Sequence, residues 1–284
     1  MSECKVMRKL AKPIDDVGEV FLACISGFRN HNLKSRLSSV KIDIVSAAVD
    51  FELAASSNTL HTLIPQNDIN GIVTKQEMLD VYTNGMVSNS LGRKIYDKLL
   101  AGPVHGRCPL CGQGRVKTLD HHLPKSLYPA LAVVPANLIP SCSDCNKAKL
   151  DAKPISAEYE TIHPYFDDIE SDLWLHARVI EESPTGIQFF VKIPENWNNV
   201  KSKRVKHHFK TFKLSSLYTS LAADEISGIR YYLTQLFSKT GYQGVKEHLS
   251  EEAISREKVY LNSWQTAMYK ALTDSYWYCS GGFK

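Results

Sequence analysis

The sequence predicts an α+β fold: a mostly helical body with a small metal-holding module set into its middle and a β-hairpin after it. Three observations predict it. Apolar residues recur at three-to-four spacing through the first third of the chain and again through the last third. That periodicity vanishes from Gly106 to about Pro154, where turn residues dominate. Two short strand-like runs, WLHARVIE and IQFFVKI, then flank the turn SPTG. With 284 residues, 43% of them hydrophobic, the chain has apolar side chains enough for a core that does not depend on metal or disulfides.

The first helix is expected in PIDDVGEVFLACISGF. It aligns Val17, Val20, Phe21, Cys24, Ile25 and Phe28 on one stripe, and Pro13, Asp15 and Asp16 suit its start. RLSSVKIDIVSAAVDFELAA repeats the pattern with Leu37, Val40, Ile44, Ala47, Phe51 and Ala54. Thr74 and Glu77 have the spacing of a capping box, in which each residue satisfies the other's backbone N–H. SLGRKIYDKLLAG supplies one more helix, closed near Gly102 and Pro103. After the hairpin, helices are expected in NNVKSKRVKHHFKTFKL, in SLYTSLAADEISGIRYYLTQLFSKTG and in a long pattern from Val245 to Tyr276. No linker rich in Gly, Ser or Pro separates these parts. The expected divisions are residues 1–103 (helical), 104–154 (the module) and 155–284 (hairpin and helices).

The opening residues show neither a secretory leader nor a run of about 20 apolar residues, so a cytoplasmic protein is expected, with no membrane partner. The net charge of +4 is unevenly spread. KSKRVKHHFKTFK holds six Lys or Arg and no acid, and residues 104–153 hold seven against three Asp. Two basic islands on an otherwise acidic chain suggest a polyanionic partner, or for the helical island an acidic protein.

Seven cysteines are present, and four of them form two C-x-x-C pairs: Cys108 with Cys111, and Cys142 with Cys145. A C-x-x-C turn aims two thiolates at one point, and two such turns complete the tetrahedral sulfur set of a structural Zn²⁺. A redox dithiol needs only one pair, at a helix start. Cys4, Cys24 and Cys279 show no pairing pattern and are read as free thiols. A zinc site with four thiolates is saturated, so any chemistry must come from other residues.

Those residues are available between the two pairs. Asp120 is a hard oxygen ligand suited to Mg²⁺ or Mn²⁺, and His121 or His122 is a candidate general base. Asn146, directly after the last cysteine, is a neutral oxygen ligand in a place that zinc would fix. Lys125, Lys147 and Lys149 surround the set with charge that suits phosphate. The combination fits phosphodiester hydrolysis.

The same segment resembles the HNH nuclease family, the ββα-metal or His-Me finger. The matching residues are Asp120-His121 followed by Pro124, then Asn137, then Cys142-x-x-Cys145-Asn146, with the upstream pair Cys108 and Cys111 of the zinc-bound subgroup. The likeness covers about 45 residues of 284. It implies an inserted ββα-metal module in which His121 is the general base and Asp120 and Asn146 hold the catalytic divalent ion. Asn137 would brace the loop and orient His121. Neighbours on a strand face opposite ways, so only one of His121 and His122 enters a regular site, and the Pro124 spacing favours His121. The resemblance implies an endonuclease cutting DNA to 5′-phosphate and 3′-hydroxyl ends, with RNA an alternative substrate. It also suggests an effector of bacterial anti-phage defence, controlled by a partner such as an ATPase. A zinc module that binds nucleic acid or protein without catalysis is the competing reading.

Overall fold

The computed structural model describes residues 8–149 and 153–284; Cys4 and Asp151, both used in the sequence reading, lie outside them. The fold is mixed α+β, dominated by helices, with three separate two-stranded antiparallel sheets among the described residues. The chain divides into two compact units, Arg8–Asp168 and Ile169–Lys284.

The first unit opens with α1 (Val17–Ile25), which Asp16 caps by accepting the Glu19 N–H at 2.9 Å. Val20, Phe21, Cys24 and Ile25 are buried, as the stripe required. The second apolar pattern is broken in two. α2 (His31–Ser39) stops at Val40, and α3 (Lys41–Ser57) starts beyond it. Val40 leaves helical geometry (φ −93°, ψ 9°), yet its side chain and those of Leu37, Ile44 and Phe51 still enter one core. A short hairpin, β1 (Asp68–Ile69) and β2 (Val73–Thr74), leads into α4 (Lys75–Asp80). The Thr74–Glu77 capping box is formed on both sides, an arrangement worth about 1 kcal/mol. Arg36 also clamps the Glu77 carboxylate. α4 passes into a π-helical turn, Val81–Val87, and α5 (Ser90–Leu100) follows.

Next come β3 (Thr118–His121), β4 (Leu138–Ser141) and α6 (Ser143–Lys149). β3 and β4 pair antiparallel, with Asp120 opposite Ile139 and His121 opposite Leu138. The borders expected at residues 103 and 154 therefore fall inside one unit. The reason is packing: Leu119, Leu123, Val133, Val134 and Leu138 share a single apolar core with the helices α1 to α5. The module cannot bury those side chains alone.

In the second unit β5 (Leu175–Ile180) and β6 (Gly186–Val191) form the expected hairpin. α7 (Asn199–Thr211) and α8 (Leu214–Glu257) follow, with Ser215 and Thr219 of α8 donating to the β6 carbonyls of Phe189 and Ile187. α8 is broken at Gly241, whose backbone (φ 63°, ψ −156°) suits only glycine. The long apolar pattern from Val245 is cut again before α9 (Trp264–Asp274), which Ser263 caps. The Asn262 amide accepts the N–H groups of Trp174 and Leu175 and ties that break to the hairpin. Among the described residues no helix is long and apolar enough to cross a membrane.

Candidate active site

The four cysteines of the two C-x-x-C pairs meet. All are buried, and their sulfurs lie within 4.8 Å of one another. A Zn–S bond of about 2.3 Å sets tetrahedral S···S edges of about 3.8 Å. Cys111 Sγ and Cys142 Sγ stand 3.9 Å apart, close to that value and far from a disulfide. The Gly114 and Cys145 N–H groups point at the Cys111 and Cys142 sulfurs, at 3.3 and 3.5 Å. A Cβ on Gly114 would come within 2.7 Å of Cys142 Sγ, so only glycine lets the first knuckle close against the second. Hydrogen bonds among the thiols pull Cys111 and Cys142 below the ordinary thiol value and push Cys108 and Cys145 above it. Four sulfurs this close cannot all ionise without a cation among them, and the donor set is the one zinc prefers.

The four-cysteine cluster sets the start of α6, because Cys142 precedes the helix and Cys145 lies in its first turn. Asn146 follows and is thereby carried to the end of β3. There Asp120, His121, Pro124, Lys125 and Asn146 line one cavity of about 570 Å³, together with Tyr82, Thr118 and Leu119.

The Asp120 carboxylate is buried, and its Oδ2 has no hydrogen-bond partner. The Lys149 ammonium stands 3.5 Å away, close enough to pair but not to bond well. Burial pushes Asp120 up to about 6, with Lys149 opposing. Asp120 and Asn146 line the same cavity, and a carboxylate beside a neutral amide oxygen is a donor set that fits a divalent cation, which would hold Asp120 ionised.

His121 is also buried. Its Nε2 lies 2.8 Å from the Ala132 carbonyl. A carbonyl only accepts, so Nε2 carries the proton and Nδ1 holds the lone pair. Burial, with Lys125 and Lys149 nearby, lowers the imidazole to about 3, so it is neutral at working pH. The Tyr82 ring meets it edge-on, with centroids 4.5 Å apart.

Asn137 is fully buried and lies outside the cavity. Its Oδ1 accepts the Leu123 N–H at 2.8 Å, and its Nδ2 donates to the Leu123 and Leu131 carbonyls at 3.0 and 3.2 Å. It stitches the loop that presents the Ala132 carbonyl to His121. His122 is buried against His163, with ring centroids 4.2 Å apart, and does not line the cavity. His163 is itself a packing residue, accepting the Tyr165 N–H on Nδ1.

The lysines separate. Lys125 lines the cavity with its ammonium 5.0 Å from the centre of the Tyr82 ring. Lys147 is exposed on α6, outside the cavity lining. Lys149 corrects the sequence reading: it is buried, and it donates to the His121 and His122 carbonyls at 2.6 and 3.1 Å. One turn of helix from Cys145 turns it under β3, so it is an internal strut and not a phosphate contact. Cys24 and Cys279 are buried free thiols, and burial holds Cys24 up at about 12.

Sequence reasoning missed Tyr82 and the Ala132 carbonyl. A backbone carbonyl has no residue signature, and Tyr82 lies 39 positions before His121 in a π-helical turn that no periodicity announces.

No protein-family model matches this chain, and no solved structure matches it. The chain is similar to Protein ea31 of Escherichia phage lambda, with 28% identity over 290 aligned positions that cover 95% of this chain and 98% of that protein.

Proposed function

We propose that the protein is a divalent-metal-dependent endonuclease of the HNH type that hydrolyses DNA phosphodiester bonds, with zinc as a structural ion. The observation that supports this most is the convergence of Asp120, His121 and Asn146 on one cavity beside a four-sulfur clip.

Asp120 and Asn146 would hold Mg²⁺ or Mn²⁺, which when bound supplies positive charge against the scissile phosphate and the leaving 3′ oxygen. His121 takes the proton of the attacking water on Nδ1, while the Ala132 carbonyl keeps Nε2–H in place. Lys125, which lines the cavity, would meet a non-bridging phosphate oxygen. Attack in this geometry leaves 5′-phosphate and 3′-hydroxyl ends.

The likeness to a phage protein extends the settings to be tried beyond anti-phage defence under a partner such as an ATPase to a nuclease carried by a phage. Plasmid cleavage with Mg²⁺ or Mn²⁺, comparing wild type with His121→Ala, tests the activity. Wild type cuts, and the variant loses cutting by several orders of magnitude while its zinc content and fold persist. A zinc-loaded chain that binds nucleic acid without cutting it is an adaptor, and one that cuts only RNA moves the substrate class.

A further inference from the structure

α3 is apolar on two sides, and the fold covers only one of them. Ile44, Ala48, Phe51 and Ala55 are buried in the core of the first unit. Ile42, Val45, Val49 and Leu53 are exposed, at 80%, 37%, 53% and 64%. At about 100° per residue these four fall within an arc of about 80°, on the side away from the core, and they run for about 16 Å along the helix. Ser46 and Ser56 beside them are exposed and carry no charge. Ion pairs of Lys12 with Glu52 and of Lys41 with Glu19 tie residues 12–19 alongside the helix, and Ile14 between those ties is 93% exposed. The five aliphatic residues leave on the order of 600 Å² in water, the upper end of what the largest apolar patch of a monomer exposes. A helix that is apolar all round belongs inside a structure.

We propose that this stripe pairs antiparallel with the same stripe of a second copy of the chain, about a two-fold axis near Ala47 and Ala48. The longer side chains stand at its ends, so Ile42 meets Leu53 of the second copy. At the centre Val49 meets Ser46, whose small side chain lets the two helices approach. The stripe is thus complementary to itself, as an isologous interface requires. A stable interface takes about 800 Å² from each partner, which the stripe and its rim together supply. Of the charges beside it, Lys41 and Glu52 stand at opposite ends of one edge and meet their opposites across the two-fold. Asp50, on the other edge, comes near Asp43, which already accepts the Asn70 amide at 2.7 Å. A lipid surface fits worse, because a membrane-binding helix rims its apolar face with Lys and Arg and this one is flanked by Asp43, Asp50 and Glu52. The inference rests on α3 and does not require that the chain cut nucleic acid.

The test is sedimentation velocity of the full zinc-loaded chain from about 1 to about 100 μM. The wild type sediments at twice the 31.9 kDa of one chain. Val49→Lys sets two ammonium groups at the centre of the interface and weakens pairing by at least about 100-fold. Its zinc content and melting temperature stay at wild-type values, because position 49 faces solvent in the single chain. Ile42→Lys, at the end of the stripe, gives a loss of pairing from an independent position. Mixing Val49→Lys with Val49→Glu chains, each monomeric alone, restores a dimer, a rescue that no general loss of stability produces. A wild type that stays monomeric at the highest concentration overturns the inference, and if that monomer floats with phosphatidylcholine vesicles the stripe belongs to a membrane. Lysine variants that still dimerise overturn it too, as does a mixture whose chains remain apart.

Discussion

Replacing Lys149 with Met separates two roles that make opposite demands. A phosphate contact predicts weaker nucleic-acid binding and an unchanged fold. The structure predicts a damaged fold. The ammonium is buried, donates to the His121 and His122 carbonyls, and stands 3.5 Å from the Asp120 carboxylate. Met keeps most of the stem's volume and removes only the charge and the donors. Each charge-assisted hydrogen bond is worth about 1.5–3 kcal/mol, and stripping one partner from a buried pair costs about 3–5 kcal/mol. These contributions overlap, so the expected loss is about 4 kcal/mol, a large part of a domain's stability. With a urea slope of about 2 kcal/mol/M, the unfolding midpoint falls by about 2 M. Urea titration followed by circular dichroism and tryptophan fluorescence reads this directly. An unchanged midpoint with impaired duplex binding would refute the reasoning and return Lys149 to the phosphate surface.

The zinc clip gives a second test. Gly114→Ala forces a Cβ to within 2.7 Å of Cys142 Sγ, so metal analysis should find well below one zinc per chain and the melting temperature should drop; full zinc occupancy would contradict the knuckle geometry. The third prediction concerns acid. The hydrogen bond from Arg36, with help from Thr74, holds the Glu77 carboxyl down at about 2, against an ordinary value of 4.5. A lowered folded value stabilises fully above about 4.5 and is lost as pH falls from there to about 2, so Glu77→Gln should flatten the fall in melting temperature across that window and lower it at pH 7.

Zinc chemistry made the clip legible in the sequence, since a tetrahedral metal dictates both residue type and local spacing. The same constraint carried Asn146, fixed one residue beyond a clip cysteine, while Asp120 and His121 were recognisable from the motif at a strand end. Helix faces were legible where the apolar stripe is long. The break at Gly241 was legible too, where the pattern ends on SKTG, but those at Val40 and ahead of Trp264 were not, because apolar periodicity continues through a bend that still aims its side chains at the core. What only the tertiary structure decided is direction. It turned Lys149 inward and left Lys125 in the cavity, and it brought Tyr82 against an imidazole far along the chain. It also chose the His121 tautomer through a loop carbonyl held by Asn137. Spacing in a sequence reports which residues are neighbours on one element. Which way a lysine turns, or which carbonyl meets a ring, depends on the free energy of burial shared among distant segments, and that is settled only when they pack.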